Sequence, residues 1–193
     1  MLNLCKQGQK VLTFVKQNTR NFDKSHDWQH AYRVAERAIK IENKKDVVFL
    51  ALLHDVCDHK YKKESIPRED LSLWINQNLN EYKYIDELID KVSFSYQVKH
   101  PEEKVSKILE AVRDADRFDS LGSSGIVRLE LYSEKIGRGK DDAIKHCFDK
   151  ILRLVPEGYI VNVDKLTIIK HNIIVDYVNR HGNYKIPYIS KKF

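Results

Sequence analysis

The residues best suited to chemistry are His54 and Asp55, which close the apolar run V-V-F-L-A-L-L at positions 47–53. An imidazole and a carboxylate at the end of a buried segment must be paired or must hold a metal ion, because burying either one alone is costly. Successive residues of a helix differ by about 100° in direction. Such a pair therefore converges on one ion only from the end of a helix, and the remaining ligands must come from other helices. His30, in H-A-Y-R-V-A, and Asp116, in D-A-D-R-F-D, can supply them. Two imidazoles and two carboxylates, with other positions left to water, form a mixed nitrogen and oxygen set. That set suits Mn²⁺, Fe²⁺, Co²⁺ or Mg²⁺ better than a closed structural Zn²⁺ site. Taken singly, each residue also has an ordinary reading. His54-Asp55 can be an ion pair or helix-end cap, His30 a half-buried histidine, and Asp116 a partner of Arg113 or Arg117.

The elements that position these residues are helical. Only seven glycines and four prolines interrupt the chain, and apolar residues between them recur mostly at spacings of three and four. The pattern predicts helices near 4–18, 27–42, 46–57, 67–79, 84–95, 102–116, 122–135, 140–154 and 163–180, and no strands. The second carries Ala31, Val34, Ala35, Ala38, Ile39 and Ile41 as a stripe, with Ser25 and Asp27 as candidate N-caps and His30 one turn before Val34. The third is apolar nearly all round and is expected at the centre of a bundle. Loops are expected at 58–66, 96–101, 117–121 and 136–140.

With 193 residues the chain is long enough for one domain with a substantial core. A 42% hydrophobic and 32% charged composition excludes a disordered or membrane-embedded class. No stretch reaches the roughly 20 apolar residues of a spanning helix, and the N-terminus lacks the apolar stretch of a signal peptide. Cys5, Cys57 and Cys147 are odd in number and widely spaced, which indicates neither a disulfide framework nor a zinc knuckle. A soluble, cytoplasmic protein without a membrane partner is expected. The formal net charge of +6 favours an anionic partner, but the basic residues are scattered, with small clusters at Lys60, Lys62 and Lys63 and at Lys191 and Lys192. This scatter argues against a dedicated nucleic-acid partner.

Several motifs stand in order along the chain: S-H-D-W-Q-H-A-Y-R-V, A-L-L-H-D-V-C-D-H-K, R-D-A-D-R-F-D-S-L-G-S-S-G-I-V-R and H-C-F-D-K-I-L-R-L. Together they resemble the HD superfamily of metal-dependent phosphohydrolases, and within it the small YpgQ-type hydrolases. The resemblance covers about residues 22–180. It implies an all-α, single-domain HD-type helical bundle over 1–193, with an irregular basic tail at 185–193. It also implies a hydrolase for nucleotides or other phosphoesters, foremost one that cleaves (deoxy)nucleoside triphosphates to monophosphate and pyrophosphate, as a monomer or homodimer.

By the same resemblance the metal ligands are His30, His54, Asp55 and Asp116, holding one divalent ion, Mn²⁺ first and Mg²⁺, Co²⁺, Fe²⁺ or Ni²⁺ as alternatives. Asp58, three residues past Asp55, takes the place of the catalytic acid/base; its ordinary alternative is a helix-end residue bonded to a lysine. His26 lies beside the site, either on substrate phosphate or bracing the start of its helix. Lys60, Arg117, Arg128 and Lys150 match basic positions that would grip phosphate, and each could equally be a solvated surface charge. Asp119 is assigned to orienting the ligands or Arg117, and Cys57 to core packing. Two departures from the family concern substrate choice: the Gly137–Lys140 loop is shorter and poorer in Gly and Arg, and Gln97 stands where relatives often carry an acid. Between Asp55 and Asp116 only His59 and His100 occur, without a paired-histidine signature, which favours a single metal. The alternatives are a catalytically silent HD module that binds a nucleotide to regulate a partner, and a helical nucleic-acid binder whose affinity would fall steeply with salt.

Overall fold

The computed structural model describes residues 2–23, 26–58, 61, 64–137, 139–182 and 184–190. Among them every regular element is helical. The chain divides into two compact units, residues 1–115 and 116–193. No helix among the described residues is long and apolar enough to cross a membrane.

The first unit opens with α1 (Lys6–Asn18), α2 (Trp28–Ile41) and α3 (Lys45–Leu53). The nearly all-apolar α3 is buried along its whole length from Val47 to Leu53, with α1 and α2 packed against it. A helix with no polar face has no stable place except the interior. The two-sided α2 instead buries only the stripe His30, Ala31, Val34, Ala35 and Ala38. Its start is fixed by Asp27, whose carboxylate accepts from the backbone N–H groups of Gln29 and His30 at 2.9 and 3.2 Å. Such a cap typically contributes about 1 kcal/mol. Ser25, the other candidate cap, lies outside the described residues, as do His59, Lys60, Lys62, Lys63, Arg138, Lys191 and Lys192.

After α4 (Arg68–Asn78) the structure departs from the helix expected at 84–95. In its place stand a 3₁₀ turn at Asn80–Ile85, α5 (Asp86–Ile89), a second 3₁₀ turn at Asp90–Val92, and α6 (Phe94–Lys99). The break falls at Ser93, which is non-helical (φ −59°, ψ 144°), and its hydroxyl accepts from the Tyr96 N–H at 3.2 Å. A serine that can cap a new helix competes with continuation of the old one. The next helix, α7 (Lys107–Asp119), starts later than expected and runs through 117–119, where a loop was anticipated.

The second unit contains α8 (Gly122–Lys135), α9 (Lys140–Asp149) and α10 (Lys165–Gly182), which pack against one another. The G-S-S-G sequence is explained by its turn: Gly122 has φ +74°, and a Cβ on Gly125 would lie 2.0 Å from the Ser120 carbonyl oxygen. The helix expected over 140–154 breaks at Lys150 (φ −135°, ψ −63°) and resumes as a 3₁₀ turn at Ile151–Arg153. Residues 184–190 have no regular structure but are held to α10. Asn179 exchanges two hydrogen bonds with the backbone of Ile186, and Asn172 does the same with Ile189.

On α10, His171 is buried, and burial pushes its pKa down to about 4. In the unfolded chain a histidine titrates near 6.5. Above that pH the residue is neutral in both states and adds no pH dependence to stability. As the pH falls toward 4, the unfolded state binds a proton that the folded state does not, so stability drops by about 1.4 kcal/mol per pH unit from this group. His171→Leu is expected to flatten the loss of stability between pH 6.5 and 4 by roughly 3 kcal/mol. Chemical denaturation at a series of pH values measures it, and parallel curves for the two proteins would refute it.

Candidate active site

The site is built where α3 ends. The last carbonyls of a helix have no intrahelical donor, and His54, the C-cap residue, supplies one. Its Nδ1 lies 2.8 Å from the Ala51 carbonyl oxygen. Donation from Nδ1–H leaves the lone pair on Nε2, the tautomer in which an imidazole binds a metal through Nε2. The chain then continues in successive tight turns. The Val56 N–H donates to Leu53, Asp58 to Asp55, and Tyr61 to Asp58, so Asp55, Asp58 and Tyr61 follow one another a turn apart.

Asp55 stands between two imidazoles. One of its carboxylate oxygens is 3.4 Å from His30 Nε2 and 3.4 Å from His54 Nε2. The two rings lie 5.4 Å apart at 63°, His30 fully buried on α2 and His54 nearly so. Burial alone would raise the Asp55 pKa. With no cation bound, protonation of the neighbouring imidazoles, His54 foremost, outweighs it and holds the carboxyl well below the usual carboxylate range. A carboxylate that stays charged beside two imidazole nitrogens is a donor set fit for a divalent cation of mixed nitrogen and oxygen preference.

A second layer adjoins it. His26 Nε2 is 3.8 Å from an Asp58 carboxylate oxygen, and one ligand atom each from His26, Asp55 and Asp58 lie within 4.8 Å of one another. The His26 side chain turns toward Asp58, while Asp27 provides the cap of α2. Sequence reasoning missed two further residues. The Tyr61 hydroxyl donates to Asp23 at 2.6 Å and lies 3.1 Å from His26 Nδ1, and the Tyr61 ring stacks on Phe22 at 4.4 Å. A tyrosine two residues beyond a histidine and a lysine carries no sequence signal for such a contact. Cys57 is half-buried, with Sγ 3.7 Å from the Pro67 carbonyl oxygen and its thiol pushed up to about 11 chiefly by burial, as a packing residue would be.

Asp116, Arg117, Asp119, Arg128 and Lys150 belong to the second unit. Asp116 is partly buried on α7, immediately past the boundary at Ala115. Arg117 is buried, and its Nη1 donates to the Tyr159 carbonyl at 2.7 Å. Arg128 donates to Asp119 at 2.8 Å, so Asp119 orients Arg128. Lys150 is half-buried at the C-cap of α9. Lys60 falls outside the described residues, and Gln97 is half-buried on α6.

No protein-family model matches the chain. It is 29% identical over 188 residues to YpgQ of Bacillus subtilis (strain 168), an alignment covering 91% of this chain and 92% of YpgQ. The crystal structure of YpgQ matches the fold with a TM-score of 0.68 at 26% identity, over 91% of this chain and 93% of that one. YpgQ in complex with ADP matches at 0.66, also at 26% identity and the same coverage. An HD-superfamily hydrolase from Bacillus thuringiensis matches at 0.63 and 25% identity, over 91% of this chain and 94% of that one. In motif order and helical fold the chain is similar to YpgQ and to the HD-superfamily hydrolase from Bacillus thuringiensis.

Proposed function

We propose that the protein is a metal-dependent phosphohydrolase for nucleotides, and more narrowly one that cleaves (deoxy)nucleoside triphosphates between the α- and β-phosphates. The observation that carries the proposal is the convergence of His30, His54 and Asp55 at the buried end of α3, with Asp58 one turn beyond. The ADP complex of YpgQ supports a nucleotide as the ligand class. Asp116 is proposed as the fourth ligand, on the strength of its motif and its place on α7.

A bound divalent ion, Mn²⁺ by preference, would supply Lewis acidity at a phosphate oxygen and lower the pKa of water. The chain's own residues do the rest. Ala51 holds His54 in the ligating tautomer, and Asp55 joins His30 and His54 as the carboxylate of the ligand set. Asp58 receives the proton of the water that attacks the α-phosphorus as the bond to the β-phosphate oxygen breaks. Lys60, Arg117, Arg128 and Lys150 are proposed to hold the phosphates. For Arg128 this means sharing its guanidinium between Asp119 and the substrate.

The test is a panel of ribo- and deoxynucleoside mono-, di- and triphosphates with Mn²⁺, resolving phosphate from pyrophosphate. Pyrophosphate released from triphosphates is the expected product. Single phosphate would place the cut at the terminal bond. Silence across the panel despite bound metal would turn the reading to a regulatory nucleotide-binding module.

A further inference from the structure

The contact between Tyr61 and His26 fixes more than a ring position. The Tyr61 hydroxyl has one hydrogen and, among the described residues, lies within reach of the Asp23 carboxylate at 2.6 Å and His26 Nδ1 at 3.1 Å. A carboxylate is the stronger acceptor, so the hydrogen goes to Asp23. The phenolic oxygen can then only accept from His26, which places a proton on Nδ1 and the lone pair on Nε2. In water an imidazole prefers the opposite tautomer, so this one is imposed by the surroundings.

Nε2 is the atom that faces Asp58. At 3.8 Å the two groups are too far apart for a direct hydrogen bond and close enough to share one small partner. In the Nδ1–H tautomer, Nε2 and the Asp58 carboxylate are both acceptors. A water held between them directs its two O–H bonds at His26 and Asp58 and presents its oxygen lone pairs away from both. With a proton on Nε2 the imidazole would instead donate to that oxygen and compete for the electrons needed to attack phosphorus.

We infer that Tyr61, anchored by Asp23, is a positioning residue that sets the His26 tautomer and thereby aims the attacking water at phosphorus; the inference rests on the phosphohydrolase reading above. The water's oxygen forms the new bond to the α-phosphorus, its proton passes to the Asp58 carboxylate, and pyrophosphate departs with the electrons of the broken P–O bond. His26 accepts a hydrogen bond throughout and neither gains nor loses a proton. A neutral His26 in this tautomer has no Nε2–H to offer a phosphate, so it serves the water and not the substrate.

The test uses the full chain labelled with ¹⁵N-histidine, loaded with diamagnetic Mg²⁺, and His26→Ala to assign the signal. Wild type is expected to show His26 as the Nδ1–H form. Tyr61→Phe keeps the ring on Phe22 but removes the hydroxyl, and is expected to relax His26 to Nε2–H. Metal content should stay unchanged, kcat should fall about tenfold, the effect of a lost hydrogen bond to the reacting group, and KM should stay within about twofold. Asp23→Ala is a second route that leaves Tyr61 in place. Its released hydroxyl hydrogen turns to Nδ1, giving the same tautomer change and loss of rate. The slowing caused by Tyr61→Phe should vanish in a His26→Ala background. A wild-type Nε2–H signal, an unchanged tautomer in both variants, or a changed tautomer with unchanged kcat would each overturn the inference. A wild-type protein that turns over no phosphoester overturns the proposed function instead, while the tautomer still decides whether Tyr61 controls His26.

Discussion

Asp55→Ala is expected to lose both the metal and the reaction, with bound divalent ion below about a tenth of the wild-type level and turnover down by roughly a thousandfold or more. The reason is placement: one Asp55 oxygen lies 3.4 Å from each of the two imidazole nitrogens, so its loss removes the carboxylate that would join them on the ion. Elemental analysis of the purified protein and steady-state rates measure the two effects. A thermal melt adds a third. A ligand at a hundred times its dissociation constant stabilises a folded protein by about 2.7 kcal/mol, so Mn²⁺ should raise the wild-type melting temperature and leave that of Asp55→Ala unmoved. A variant that keeps its metal and its rate would remove Asp55 from the ligand set and with it the basis of the proposed function.

How far the site could be read from the chain depends on the range of the interaction involved. The apolar run 47–53 has no polar face, and the interior is the only place for it, so the burial of α3 and the exceptional position of His54-Asp55 at its end were both legible. Asp27 as the cap of α2 was legible for a similar reason, since the acceptor and the N–H groups it serves lie within three residues. The broken stretch around Ser93 was not, because a capping serine and an exposed mid-helix serine look alike until the flanking turns are packed.

Longer-range pairings outside the candidate ligand set were not legible. Tyr61 and Asp23 are separated by 38 positions and meet only in the folded chain. The basic residues of the second unit show the same limit. Composition can mark Arg117 and Arg128 as cations, yet it cannot say that one donates to the Tyr159 carbonyl and the other to Asp119. For Arg117 this matters to function, because a buried guanidinium tied to the backbone gains little freedom to follow a substrate. Its part in gripping phosphate would have to be played in place, with the substrate brought to it.

Asp58→Asn separates proton transfer from metal binding and is expected to keep the wild-type metal content while slowing turnover by roughly a hundredfold to a thousandfold. The geometry divides the two carboxylates by role. Asp55 contacts the His30 and His54 nitrogens, whereas the imidazole facing Asp58 is that of His26, at 3.8 Å. The amide fills the same volume and can still turn an oxygen toward a water, but it cannot take up the proton that the water must lose. The loss should therefore appear in kcat and spare the binding of a nucleotide measured without turnover. A rate within about threefold of wild type would assign Asp58 to bracing the end of α3. A fall in bound metal would make it a ligand, completing with His26 and Asp55 the second cluster of donors seen here. Retained metal with a large loss of kcat is the one outcome that leaves Asp58 as the group that accepts the proton.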